Sequence, residues 1–599
     1  GFLITGLLVE EIRQAGHVQW AGFYIRRLRR LLPALATMIL VTGAAAALLL
    51  APAEQGEQAN AAGMAALWLS NIYFTLNRLD YFSPGNDTNL FLHTWSLGVE
   101  EQFYLVWPLL LFWLCSDTDA ARGERRLRLG LYCVLVLSLG ACIYLTYVAP
   151  AAAFYLMPMR AWQFALGALV KLTMSSPRGP RLPMEFGWLG LGAILAAGAL
   201  FDAHRPYPGV YALLPSLGAA IVIAAGMAPG AKGVSSFLSW KPLQAIGRVS
   251  YAWYLWHWPA LLLAKVLADS DGWEVRVMAV GTSLLLAALS YRYIEAPIRH
   301  QEGWLRRRLS TLLVATLAMG ALAMLAGQWS DRAGDASNDG RQAKYARAHN
   351  DSPAIYGMGC DDWYASDRLK PCAFGNGTSA HVAVLMGDSI AGQWFPATEK
   401  LFAQQGWRLV VLTKSSCPMV EEPFFYARIG REYTECSRWR EKALDYVRTL
   451  RPDLVMLSTV STNGFSEQQW VEGTERVLER LSQATGHIYI LRATPYLPFD
   501  GPNCLAQREG RPAWLGTKAL CSAPSDDAHA LMVLNALSHA VTTVPNASIV
   551  DLNDRICPGG ICYAQRQGVI VFRDGQHLTA SYAASLAPVL GQELQISGY

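Results

Sequence analysis

Charge is scarce in this chain. Only 16% of its 599 residues are Asp, Glu, Lys or Arg, against about 25% in ordinary soluble proteins. The net charge is +4, and no basic stripe with interleaved aromatics is present, so no nucleic-acid partner is expected. The chain has no paired Cys-x-x-Cys steps, which ranks a zinc framework low, and no metal site is expected. It also lacks an initial Met and a signal peptide. Gly1-Phe-Leu-Ile-Thr-Gly-Leu-Leu-Val lies inside an apolar run and reads as the tail of a span begun upstream. Hydropathy shows no pair of matching halves, a mark of many transporters.

What fills the space is hydrophobic residue, 52% of the total, with 20 Trp. Such a composition suits a membrane-embedded chain with interfacial aromatic belts. The excess is confined to residues 1 to about 328, and residues 329–599 read as soluble. Spans are expected at 31–51, 95–115, 130–148, 160–173, 187–201, 208–227, 249–268, 277–294 and 310–328, each near the ~20 residues needed to cross. Arginine clusters set the orientation. Arg26, Arg27, Arg29 and Arg30 precede one span, Arg122, Arg125, Arg126 and Arg128 follow another, and Arg299, Arg306, Arg307 and Arg308 precede the last. With all three cytoplasmic, the apolar segment 61–76 cannot cross. It is re-entrant or lies on the outer face, and residues 329–599 are delivered outside.

The cysteines point the same way. Cys115, Cys133 and Cys142 fall in or beside spans and read as small buried hydrophobes. The other eight all follow residue 328, which suggests disulfides in an oxidising compartment. Pairing of sequence neighbours would join 360–372, 417–436, 504–521 and 557–562.

One stretch organises the membrane half: His93-Thr-Trp-Ser-Leu-Gly-Val-Glu-Glu-Gln-Phe-Tyr104. His93, Glu100 and Glu101 stand at or just inside the mouth of a span, where ionisable groups survive by facing a bundle interior or a wet cavity. An interfacial polar cap is the plainer reading. Arg27 and Arg30, three apart, share a helix face and could fork onto a diphosphate; a positive-inside anchor explains them equally. His257, in Ser250-Tyr-Ala-Trp-Tyr-Leu-Trp-His-Trp-Pro259, either bonds a neighbouring helix or lines the same cavity.

Residues 329–359 are polar and read as a linker, continued to 380 as an extension. From 381 the pattern alternates. Strands are expected at 381–386, 408–413, 453–459, 487–492 and 547–551, with helices at 391–405, 437–450, 467–483 and 526–540. This predicts a three-layer α/β, flavodoxin-like domain over 381–599, its mostly parallel sheet covered on both faces. Gly387-Asp-Ser389 follows the first strand, at the end where such sheets bind ligands. Arg573-Asp-Gly-Gln-His577 stands near the other end. His577 could take the proton of Ser389 while Asp574 orients the imidazole; a plain turn is the alternative for Asp574-Gly575. Gly392 and Asn463 are candidate oxyanion donors.

Together with Phe23-Tyr-Ile-Arg-Arg-Leu-Arg-Arg-Leu-Leu-Pro33 and Glu295-Ala-Pro-Ile-Arg299, these motifs make residues 1–328 resemble the acyltransferase-3 family, a polytopic helical bundle truncated at its N-terminus. The Ser389 and Asp574-x-x-His577 motifs resemble SGNH hydrolases. The resemblance implies an O-acyltransferase of the O-antigen acetylase type, multi-pass in a bacterial inner membrane with its C-terminal domain periplasmic. It implies acetyl-CoA as donor substrate rather than a bound cofactor, received at Arg27 and Arg30, and a surface polysaccharide, lipopolysaccharide O-antigen, as acceptor. Rival readings are a membrane-tethered carbohydrate O-acetylesterase and a solute transporter. Oligomeric state is not legible.

Overall fold

The structure is a computed structural model. It describes residues 1–77, 88–115, 120–175, 182–202, 205–227, 233–268, 270–299, 308–403, 406–429, 431–515 and 520–596. Two compact units emerge. One comprises Gly1–Leu49, Gln55–Arg332 and Ala427–Arg431, the other Leu50–Glu54, Ala333–Tyr426 and Glu432–Tyr599.

The first unit is helical. Four of its helices are long and apolar enough to cross a membrane by length and composition: Trp20–Leu49, Arg122–Val148, Trp273–Arg299 and Leu309–Asn338. Leu105, Leu109, Phe112 and Trp113 are exposed on the helix Trp95–Leu114, as are Val136 and Leu137 on a neighbour. Bare apolar faces of this kind need a bilayer as solvent. The expected span 31–51 begins earlier, at Trp20. Arg27 and Arg30 therefore lie on the helix itself rather than before it. The expected span 208–227 shortens to Leu213–Gly226. It packs on Phe186–Leu200, where a Cβ on Gly190 would stand 2.6 Å from the carbonyl oxygen of Gly218. Small residues permit that backbone approach. Segment 61–76 is broken in two. Pro52–Ala66 and Ser70–Leu76 are separated by a reversal at Trp68, whose φ is 55°. Neither piece has the ~20 residues of a crossing. Arg306 and Arg307 lie outside the described residues.

The expected linker is largely ordered. The last apolar helix continues past 328 to Asn338, a further helix spans Ala343–Asn350, and Tyr345, Ile355 and Cys360 are buried in the core of the second unit. Tyr345, Ile355 and Cys360 supply the apolar area that a polar average over this stretch conceals.

The second unit is built on six strands: β1 (Cys372–Gly375), β2 (Val382–Gly387), β3 (Arg408–Thr413), β4 (Leu454–Ser458), β5 (His487–Leu491) and β6 (Ala547–Val550). Their order is β1-β3-β2-β4-β5-β6. All neighbours are parallel except β1, which pairs antiparallel with β3. The five parallel strands follow the flavodoxin-like order, with its topological switch beside the first strand. β2 is apolar throughout because both faces are covered. Helix Phe395–Phe402 and the C-terminal helices Ala580–Ser585 and Ala587–Glu593 pack together on one side; Thr434–Leu450, Glu467–Ser482 and Ala528–Val541 pack together on the other. The expected helix 391–405 is two pieces, Ser389–Gly392 and Phe395–Phe402. Four disulfides join Cys360 to Cys372, Cys417 to Cys436, Cys504 to Cys521 and Cys557 to Cys562.

Candidate active site

The turn after β2 is tightly specified. Gly387 has φ 149°, and a Cβ there would lie 2.0 Å from the carbonyl oxygen of Ser458 on β4. Only glycine lets the two strand ends stay this close. Asp388 then caps the short helix: its Oδ1 accepts from the Ile390 N–H at 2.8 Å. Its Oδ2 accepts from the Thr459 hydroxyl at 2.9 Å and the Val460 N–H at 2.8 Å. One buried carboxylate thus fastens the β2 turn to the loop after β4. Burial pushes the Asp388 carboxyl up to about 6, against the pull of these hydrogen bonds. Ser389, next in the chain, keeps partial exposure.

The second half of the site is the loop between Phe572 and Leu578, which are bridged as an antiparallel pair. Asp574 Oδ1 accepts from the N–H groups of Gln576 and His577 at 2.8 and 2.7 Å. Its Oδ2 lies 2.7 Å from His577 Nδ1. His577 Nε2 lies 2.9 Å from Ser389 Oγ. Burial raises the Asp574 carboxyl, but its bonds to His577 and to the two N–H groups prevail and bring it down to about 2. A carboxylate on Nδ1 requires the proton there, which leaves Nε2 free to accept the proton of Ser389.

Two residues hold these halves together, and sequence reasoning missed both. Gln393 is buried; its Oε1 accepts from the Leu578 N–H at 2.8 Å and its amide donates to Thr494 Oγ1 at 3.2 Å. Thr494 donates to the Gln576 carbonyl at 2.8 Å. Gln393 lies four residues after Ser389, the spacing of one helical face, so a signal existed. Thr494 had none; the topology alone brings the end of β5 here.

The candidate oxyanion donors fare differently. The Gly392 N–H donates to the Asp388 carbonyl at 2.9 Å, a bond of the helix itself. That donor is spent, which corrects the expectation. Asn463 follows β4 as expected, and its Nδ2 donates to its own loop at Val460, 3.1 Å away.

The membrane-half candidates form two groups along one helix. His93 is buried on the turn Leu92–Thr94 that leads into Trp95–Leu114. Its Nε2 lies 3.1 Å from the Leu255 carbonyl, and its ring centroid is 5.7 Å from that of His257. Tyr254, not expected from sequence, donates to the His93 carbonyl at 2.7 Å. His257 Nδ1 is 2.7 Å from the Tyr254 carbonyl. The second group stands seven residues on, about 10 Å along the axis. There the Arg27 guanidinium lies 3.1 Å from the Tyr104 ring centroid and 4.5 Å from that of Phe23. The Tyr104 hydroxyl donates to Glu100. Glu101 is within electrostatic reach of both Arg27 and Glu100, and its Oε1 has no hydrogen-bond partner among the described residues. Arg30 is exposed and lies within electrostatic reach of Glu295. Glu295 is buried on a π-helical turn, Tyr291–Glu295, a device frequent at functional sites. Sequence reasoning left it as a closing motif.

Comparison with known proteins agrees with this division. The family described as "Acyltransferase domain" matches residues 1–292, and the family described as "SGNH domain (fused to AT3 domains)" matches residues 359–592. The chain is an acyltransferase-3/SGNH fusion. It is similar to "Peptidoglycan O-acetyltransferase OatA" of Listeria monocytogenes, 28% identical over 314 residues, covering 50% of this chain and 49% of that one. It is also similar to "O-acetyltransferase OatA" of Staphylococcus aureus, 27% identical over 351 residues, covering 55% and 57%. The fusion thus spans about half the length of the curated relatives it matches. A solved structure, the periplasmic domain of Salmonella ser. Paratyphi A lipopolysaccharide acetyltransferase, aligns with TM-score 0.30 and 14% identity over 36% of this chain and 84% of that one. In this fusion Arg27, His93, Glu100, Glu101 and His257 belong to the acyltransferase domain, and Ser389, Asp574 and His577 to the SGNH domain.

Proposed function

We propose that this chain is a membrane O-acetyltransferase that moves an acetyl group from cytoplasmic acetyl-CoA to a hydroxyl of a cell-surface glycan, with Ser389 as the covalent carrier. The observation that carries the reading is the hydrogen-bond series Ser389–His577–Asp574 at the carboxyl edge of the parallel sheet. Coenzyme A leaves as its thiol on the cytoplasmic side when the acetyl group passes to the membrane half. The Ser389 oxygen then attacks the carbonyl of the delivered acetyl group as His577 Nε2 takes its proton and returns it to the membrane-half group that departs. The acceptor hydroxyl then attacks the Ser389 ester, His577 takes that proton, and the serine is regenerated. Asp574, held ionised, keeps the imidazole oriented and offsets its charge. In the membrane half, Arg27 and Arg30 receive the coenzyme phosphates, and the Glu100, Glu101, His93 and His257 groups line the route of transfer. The oxidised cysteines support an exported SGNH domain, in the periplasm of a bacterial inner-membrane protein. The acceptor is lipopolysaccharide O-antigen or, as in the names of the relatives, peptidoglycan.

The test is acetyl trapping. The full chain in membranes is given isotope-labelled acetyl-CoA, quenched in acid and digested. The reading expects label on the peptide containing Ser389 and none in Ser389→Ala. Label that persists in Ser389→Ala would overturn it.

A further inference from the structure

A cavity of about 290 Å³ opens at the carboxyl ends of β4, β5 and β6. This is the edge where open α/β sheets take ligands, and the size approaches the smallest of ordinary ligand pockets, about 300–1,000 Å³. Two of its wall residues belong to the network that positions the proposed catalytic residues. Thr459 donates to Asp388, and Thr494 links Gln393 to Gln576. Tyr496, another wall residue, packs beside the Asp574–His577 loop: a Cβ added to Gly575 would lie 3.6 Å from its ring. Yet none of the three proposed catalytic side chains lines the cavity.

Its chemistry is selective. Leu491, Val533 and Leu537 give it an apolar floor. Tyr496, 55% exposed, offers an aromatic face at the mouth. Asp526, Asp527 and His529 stand at the N-terminal end of helix Ala528–Val541. Among the lining residues the one guanidinium, Arg492, is already held by Asp526 and by Asp551 at 2.8 Å. His529 is occupied by the Ser461 carbonyl at 2.8 Å. Asp526 is paired with Arg492, and Asp527 caps the helix by accepting from the Ala530 N–H at 2.7 Å. With two carboxylates and one arginine the lining is net negative, which disfavours anions such as coenzyme phosphates and acidic sugars. A pyranose ring has the complementary character. Its C–H face suits a tyrosine ring and an apolar floor, and its hydroxyls donate to carboxylates.

We propose that this cavity is the acceptor subsite of the SGNH domain and that it holds one neutral or amino sugar ring of the glycan beside Ser389. This rests on the acetyltransfer reading above. It also supplies what transfer needs over hydrolysis, a sugar hydroxyl held near the Ser389 ester at high effective concentration.

Binding is measured on the full chain in nanodiscs by saturation-transfer NMR. The probes are methyl β-glucoside, methyl N-acetyl-β-glucosaminide, glucuronate and inorganic phosphate. One or both neutral glycosides should bind, and glucuronate and phosphate should not. Tyr496→Ala and the cavity-filling Ala530→Trp should each weaken glycoside binding at least tenfold, whereas Ser389→Ala should retain it. Tyr496 is exposed, so its truncation does not threaten the fold, and thermal unfolding of each variant checks this. Absence of glycoside binding, undiminished binding by both variants, or phosphate binding that Ala530→Trp abolishes would overturn the proposal. Acetyl trapping on Ser389 is read separately, so loss of the catalytic reading and loss of the subsite give different results.

Discussion

Asp388 is never expected to touch substrate, yet it fixes where Ser389 points. Its two oxygens accept three hydrogen bonds from two loops while fully buried. The carboxyl sits at about 6 in the folded chain, above its ordinary 3.8. A raised acid binds its proton more tightly when folded, so stability from this group is greatest below about pH 4 and is lost as pH rises through about 6. The shift of about two units corresponds to about 3 kcal/mol. Urea unfolding of wild type and Asp388→Asn across pH 4–7 should show a stability difference that changes by that order, with the wild-type advantage largest at low pH. A pH-independent difference would contradict the buried carboxyl. At this scale the sequence was informative where local spacing carries the chemistry. Gly387-Asp-Ser389 and Asp574-x-x-His577 were readable because each fits within one turn. Thr459 and Thr494 were not, because their relation to the site exists only once β4 and β5 lie side by side. Gly392 was misjudged because an N–H that looks available in a motif is consumed by the helix the motif starts.

At the scale of elements, the two loops of the site are joined by one buried amide. Gln393→Ala would leave the Leu578 N–H unsatisfied and release the loop that carries His577. The expected cost is about 1–3 kcal/mol, with slower labelling of Ser389 by a fluorophosphonate probe at pH 7. Unchanged labelling with reduced stability would show that Gln393 supports the fold and not the alignment of His577 with Ser389. The parallel strands were legible almost to the residue, since continuous apolar runs such as Val382–Gly387 have no helical period. The four-residue edge strand β1 was not, because it alternates half-buried and exposed positions like a loop. The expected linker failed for a related reason. Its few buried residues, Tyr345, Ile355 and Cys360, are too widely spaced to register against a polar background. In the membrane half, nine spans were expected and four described helices have the length and apolarity of a crossing, with Phe186–Leu200 and Leu213–Gly226 falling short. The π-helical turn that buries Glu295 has no hydropathic signature.

On the scale of the whole molecule, the division into a helical membrane unit and an α/β unit was legible in where charge and cysteine fall. The eight cysteines after residue 328 pair with their sequence neighbours, as expected, although spacing alone did not exclude other pairings. Cys504 and Cys521, separated by 17 residues, pin helix Gly501–Gly510 to strand Ser522–Pro524. Closing a loop of that length contributes about 3 kcal/mol through the unfolded chain. Cys504→Ala/Cys521→Ala should lower the unfolding midpoint of the α/β unit while leaving far-ultraviolet dichroism below the transition unchanged. An unaltered midpoint would show that the bridge constrains nothing the core does not already hold.

The central claim is that both halves act in one transfer, and the full chain in a bacterial host making an acceptor polysaccharide tests it most directly. Proton NMR of the purified polysaccharide reads O-acetyl groups in strains carrying wild type, Ser389→Ala or Arg27→Ala/Arg30→Ala. The account predicts acetylation by wild type and its loss in both variants. Acetylation that survives Ser389→Ala would contradict it, because the membrane half would then deliver acetyl groups without the SGNH serine.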